Sequence, residues 1–233
     1  MSDPLRIAFV GEGPTDRIVI TAAVETMLGE SSFILRQLHP EESPAFGPLG
    51  AGWVGVYKWC KQVVARSGAL RSDVLYDEYD ILILHLDADV ADEKYSNGAI
   101  EEAVEDLPCA KPCPPPDATT DSLRAVLLRW SGENAVPSDT VLCTPSKSME
   151  AWVVAALFPN DSAVLKGIEC LQEPQNRLGQ QPIAQRIQKR QRDYEQRSEE
   201  LKEAWPRLVG TLTEAKRFES SFRALYGAWI LRR

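Results

Sequence analysis

Ile7-Ala8-Phe9-Val10-Gly11-Glu12-Gly13-Pro14-Thr15-Asp16 is an apolar run that breaks into an acidic turn, and the rest of the chain can be read outward from it. Four consecutive apolar residues bounded by glycine suit a buried strand, and Pro14 with Asp16 suits the first turn of a helix. Glu12 is thereby placed at the carboxyl end of a strand. A second such run, Ile81-Leu82-Ile83-Leu84-His85-Leu86-Asp87-Ala88-Asp89, ends in two acids. In an open α/β sheet the carboxyl ends of parallel strands meet along one edge, so Glu12, Asp87 and Asp89 are expected to converge there. Three carboxylates at one point resist simultaneous ionisation unless a cation joins them, and a divalent metal is the expected partner.

Between and beyond these runs the pattern alternates. The residues predict a helix after Asp16 that stops at Gly29, a strand over 33–38, a Pro- and Gly-rich loop over 39–55, and a helix over 56–65. A central strand over 80–86 is followed by an acidic loop over 87–97 and a short helix over 100–107. Five prolines between Pro108 and Pro116 mark an excursion. A helix capped by Asp121, a strand over 140–143 and a helix over 148–157 complete the alternation. The fold class expected is α/β, Rossmann-like, with a four-stranded, mainly parallel sheet flanked by helices. Residues 1–159 would form this domain. Residues 160–233 would form a helical extension, with one long polar helix over 183–201 and a terminal helix over 218–231 folding back on the core through Phe222, Leu225, Tyr226, Trp229 and Ile230.

The composition of the 233 residues, 44% apolar and 26% charged, is that of an ordinary globular protein. No eighteen-residue apolar window and no basic leader occur, which excludes a membrane role and predicts a cytoplasmic protein. Cys60, Cys109, Cys113, Cys143 and Cys170 are odd in number and scattered, the pattern of reduced thiols. Cys109 and Cys113 are the one close pair, but His39 and His85 lie too far off in sequence to complete a zinc site. The net charge of −8 is uneven. Residues 1–175 hold 13 Lys+Arg against 27 Asp+Glu, whereas residues 176–233 hold 13 against 7. Arg186, Lys189, Arg190, Arg192 and Arg197 recur in the basic end and can neutralise phosphates, although Glu195, Glu199 and Glu200 interleave with them.

Glu-Gly-Pro-Thr-Asp after the first strand and Leu-Asp-Ala-Asp after the third together resemble the Toprim domain of topoisomerases, primases and the overcoming-lysogenization-defect family of nucleases. The resemblance covers roughly residues 5–155. It implies that Glu12, Asp87 and Asp89, with Asp16 as a further acid, surround magnesium or manganese used for phosphodiester chemistry. Thr144-Pro145-Ser146-Lys147-Ser148-Met149-Glu150-Ala151-Trp152 is similar to the corresponding segment of small standalone bacterial Toprim-like proteins, some grouped with anti-phage defence. By that resemblance Glu150 would complete a second metal position, Lys147 could offset charge on a scissile phosphate, and Ser146 or Ser148 could orient it. Gly11 and Gly13 would let the backbone approach a phosphate. Neither a transesterifying domain nor a primase zinc module is present. The function expected is a metal-dependent DNA or RNA endonuclease, with nucleic acid as its substrate. Any ATPase partner would be a separate subunit, since no Gly-x-x-x-x-Gly-Lys-Ser/Thr segment occurs. Two alternatives are a haloacid-dehalogenase-type phosphatase, in which Asp87 would be a nucleophile and Glu12 idle, and a non-catalytic Toprim-like protein that binds a nucleotide or partner.

Overall fold

The computed structural model of the chain describes residues 3–41, 48–182 and 186–232. Its centre is a four-stranded, all-parallel sheet in the order β2-β1-β3-β4, formed by Leu5–Val10 (β1), Phe33–His39 (β2), Ile81–His85 (β3) and Thr140–Cys143 (β4). β1 and β3 are the inner strands, as their apolar runs predict: every residue of β3 is buried. Period-2 alternation then sorts side chains between two faces. Leu5, Ile7, Phe9, Ile81, Ile83, Val141 and Cys143 face one helical layer, made by Pro14–Leu28 (α1), Glu150–Leu157 (α5), Ser198–Thr211 (α9) and Thr213–Leu231 (α10). Ala8, Val10, Leu82, Leu84 and Leu142 face the other, made by Gly52–Ser67 (α2) and Asp117–Trp130 (α4). The chain leaves β1 for β2 on one side and returns to β3 on the other. The carboxyl ends of β1 and β3 therefore flank a topological switch point, the place where open α/β sheets bind ligands.

α9 and α10 share one core with α1 and α5. Trp152 of α5 lies 5.5 Å from Trp205 of α9 and 6.1 Å from Phe218 of α10, measured between ring centroids. Glu169 bonds the backbone amide and hydroxyl of Thr213, which fixes the start of α10. Among the described residues no helix is long and apolar enough to cross a membrane.

Several expected elements differ. Residues 100–107 form no helix: Leu107 packs against the α2–α4 layer as irregular chain just ahead of Pro108, where proline removes the amide a helix would use. The acidic loop after β3 contains short 3₁₀ turns at Ala88–Asp92 and Tyr95–Gly98. α2 begins at Gly52 rather than at residue 56, and α4 at Asp117 rather than Asp121. Of the expected 39–55 loop, residues 42–47 lie outside the described residues, as do 183–185 of the expected long polar helix. The remainder of that helix is replaced by irregular chain, a short helix at Gln191–Glu195 (α8), and α9. Having no apolar stripe, the segment gains more by turning the isolated Ile187 and Tyr194 inward, where both are buried, than by staying straight.

The expectation of five reduced thiols is corrected as well. Cys113, in the proline excursion, is disulfide-bonded to Cys170, leaving Cys60, Cys109 and Cys143 free. The two partners are 57 residues apart in sequence, so no local spacing announces the pair. Cross-linking a loop of that size stabilises by about 2–4 kcal/mol. Reduction with dithiothreitol, or Cys113→Ser, is expected to lower the melting temperature accordingly; an unchanged melting curve would count against the bridge.

Candidate metal centre

Glu12 follows β1, and Asp87 and Asp89 follow β3. One carboxylate oxygen from each lies within 4.8 Å of the others. The backbone builds this convergence. Glu12 Oε1 accepts the amide N–H of Asp87 at 2.8 Å, which ties the two strand ends together. The carbonyl of Glu12 accepts from Gly52 at the start of α2, and the amide of Gly11 donates to His39 at the end of β2.

The turn after β4 holds the aspartates from the other side. The amides of Ala88 and Asp89 donate to the carbonyls of Pro145 and Lys147 at 3.1 and 2.8 Å, and the amide of Met149 donates to Asp87 Oδ1 at 2.8 Å. Lys147 has φ +61°, a left-handed conformation uncommon for a residue with a side chain, so the turn is strained where it grips the acids. Its ammonium points elsewhere: Nζ donates to Asp92 at 3.2 Å. Its carbonyl is the atom that Lys147 contributes to holding Asp89.

Asp16, at the third position of α1, accepts the Gly13 amide through Oδ2 at 2.9 Å. Its other oxygen, Oδ1, is buried without a hydrogen-bond partner. The two motif glycines differ. A Cβ on Gly11 would stand 2.5 Å from the Phe9 ring and 3.2 Å from His85 Nδ1, so only glycine fits. Gly13 has room for one, and its expected role in bringing backbone close to a phosphate finds no steric requirement.

Glu150, buried at the start of α5, is engaged by residues the sequence did not single out for it. Tyr194 Oη donates to Glu150 Oε1 at 3.0 Å, and Lys189 Nζ stands 3.1 Å from the same oxygen. The Tyr194 partnership was not foreseeable, because 44 residues and a broken helix separate the two. Lys189 was expected only as one of several cations on a helix face. Of that group, Arg186, Arg190 and Arg192 are exposed, and Arg197 pairs with Glu200 at 2.6 Å. His85, the last residue of β3, was set aside as too distant for zinc and is the larger omission. It is fully buried, with Nε2 3.2 Å from Asp87 Oδ1 and Nδ1 3.8 Å from Asp16 Oδ2. One signal was available: a histidine at the inward-facing position of an otherwise aliphatic strand.

Electrostatics follow from this crowding. Burial, reinforced by the neighbouring charges of Asp87 and Asp89, pushes the Glu12 carboxyl well above the usual range. Burial does the same to Asp87, helped by Asp16, Asp89 and Glu150. Asp16 is raised by burial too, against the opposing pull of His85 and Lys189. Asp89 is exposed as a residue, yet the protein crowding its carboxyl pushes it up to about 6 despite Lys189. Glu150 is the exception. Burial opposes its ionisation most strongly, but Lys189 together with hydrogen bonds from Ser148 and the backbone holds the carboxyl below its ordinary value. The centre thus contains four acids that a positive charge would help to ionise and one, Glu150, that already has its cation.

No family model, no curated protein and no solved structure matches the chain. The site is therefore read from its own geometry.

Proposed function

We propose that the chain is a divalent-metal-dependent phosphodiesterase with a Toprim-like site, acting on DNA or RNA as an endonuclease. The observation that carries the reading is the convergence of Glu12, Asp87 and Asp89 at the switch point of a parallel sheet. A donor set made only of carboxylate oxygens suits a hard cation such as Mg²⁺ or Mn²⁺. The upward displacement of all three carboxyls is the mark of charges brought together at a place where a cation belongs. A cation held there would act as a Lewis acid toward a phosphoryl oxygen.

The chain's own groups have the remaining tasks. Glu12, held at the cluster by the Asp87 amide, is placed to accept a proton from an attacking water once a cation favours its ionised form. Lys189, more than half exposed beyond its contact with Glu150, supplies beside the cluster the kind of charge that a phosphate backbone requires, and the exposed Arg186, Arg190 and Arg192 lie close to it in sequence. The segment over 144–149 keeps Asp87 and Asp89 aimed through three backbone bonds, so their placement does not depend on side-chain rotamers alone. A dehalogenase-type phosphatase would leave Glu12 without a task, although Glu12 here touches the backbone of the would-be nucleophile.

The test is to incubate the purified chain with supercoiled plasmid and with structured RNA, adding Mn²⁺ or Mg²⁺ and then chelator. Cleavage should need metal and disappear in Asp89→Asn. Cleavage that survives both chelation and Glu12→Gln would reject the reading, and metal binding without cleavage of either substrate would favour the non-catalytic alternative.

A further inference from the structure

We infer that Asp16, His85 and Asp87 form a second, buried metal site of mixed nitrogen and oxygen ligands, adjoining the carboxylate site and sharing Asp87 with it, and that this inner site takes a first-row transition ion such as Mn²⁺ in preference to Mg²⁺. One ligand atom from each of the three residues lies within 4.8 Å of the others, and all three residues are buried. The inference rests on the metal reading above and extends it by naming a ligand and a class of ion.

Two features set this cluster apart from an ordinary group of acids. Neither ring nitrogen of His85 makes a hydrogen bond, although the side chain is wholly buried. Its nitrogens stand 3.2 Å from Asp87 Oδ1 and 3.8 Å from Asp16 Oδ2 without forming a hydrogen bond to either, an uncommon condition for a buried imidazole that has given up water. Asp16 Oδ1 is in the same condition, and its other oxygen is occupied by Gly13. Two unsatisfied ligand-type side chains thus flank Asp87, itself a member of the outer group.

The local fold explains how they come to face one another. His85 shares the face of β3 that Ile83 presents to α1, and Asp16 stands in the first turn of α1. The ring gains its room from Gly11, where a Cβ would press on both Phe9 and His85 Nδ1. Imidazole suits manganese, iron, zinc and their neighbours, whereas magnesium favours oxygen and retains its water. A buried site with a nitrogen ligand is therefore selective by donor type and by exclusion of a hydrated ion.

Spin-echo spectroscopy of the Mn²⁺-loaded full chain tests this without reference to activity. The chain has two histidines, His39 and His85, so a coordinated imidazole nitrogen has few possible sources. We expect nitrogen modulation from bound Mn²⁺ that persists in His39→Gln and vanishes in His85→Gln, and a Mn²⁺ stoichiometry that falls from two to one in His85→Gln. Excess Mg²⁺ should displace the outer Mn²⁺ and leave the modulated signal. If Mn²⁺ binds without nitrogen modulation, or if modulation survives His85→Gln, the inner site is overturned while the carboxylate site stands. If the protein binds no Mn²⁺ at all, both readings fall. Should His85→Gln not fold, the wild-type and His39→Gln spectra still decide the matter.

Discussion

Asp87→Asn is expected to abolish metal-dependent cleavage and, at the same time, to make the metal-free protein more stable. Asp87 is the one acid common to both ligand groups, so its charge is lost from each. Losing a group that merely orients a metal ligand weakens affinity roughly 10–100-fold, and removal of a ligand itself should exceed this. Asparagine retains an oxygen to accept the Met149 amide, so the turn need not collapse. It also removes a carboxyl that burial, Asp16, Asp89 and Glu150 all hold above its ordinary pKa.

Linkage fixes the sign. An acid whose pKa is raised on folding binds its proton more tightly in the folded state. The stability it contributes is complete below the unfolded-state carboxylate range and is lost as pH rises through the folded pKa. Metal-free wild type should therefore melt at progressively lower temperature as pH increases from about 4, through the Asp89 transition at about 6 and on through those of Glu12 and Asp87. Asp87→Asn should flatten that slope, with each kcal/mol recovered near neutral pH appearing as about 2–4 °C. Added Mn²⁺ should stabilise wild type above pH 6 and leave the variant unmoved. Differential scanning fluorimetry over a pH series, with and without metal, reads all of this. A variant less stable than wild type at every pH, or one stabilised by Mn²⁺ as strongly as wild type, would contradict the arrangement described.

The second large effect is expected far from any charge. Trp152 is almost wholly buried where α5 meets α9 and α10, against Trp205 and Phe218. Trp152→Ala removes one of the two indole side chains of that junction and leaves a cavity in the core, at a cost of about 3–5 kcal/mol. At roughly 2–4 °C per kcal/mol the melting temperature should fall on the order of 10 °C, with Trp152→Phe intermediate. Glu150 lies half a helical turn away, so Trp152→Ala should also loosen the contact with Lys189 and Tyr194. Chemical denaturation measures the first effect and proteolysis of the segment near residue 190 the second. A loss below about 1 kcal/mol would be incompatible with a shared core.

The sequence by itself settled what depends on local pattern. The aliphatic runs at 7–10 and 81–84 specified inner strands because a strand buried on both faces needs continuous apolar residues. Their acidic ends then put Glu12, Asp87 and Asp89 on one rim, since parallel strands all point their carboxyl ends the same way. The terminal aromatic stripe likewise marked a helix that must find a core: Phe222 is buried in it and Leu225, Tyr226 and Trp229 pack partly against it, whereas Ile230, expected there too, is exposed. Tertiary structure alone decided whatever joins distant residues: the Cys113–Cys170 bridge, the capture of Glu150 by Lys189 and Tyr194, and the turn of Lys147 toward Asp92. These contacts have no periodicity and no fixed spacing. They arise because a buried polar group takes whichever partner the packed chain brings within reach, and His85, brought beside Asp16 and Asp87, stands in the inner cluster by the same rule.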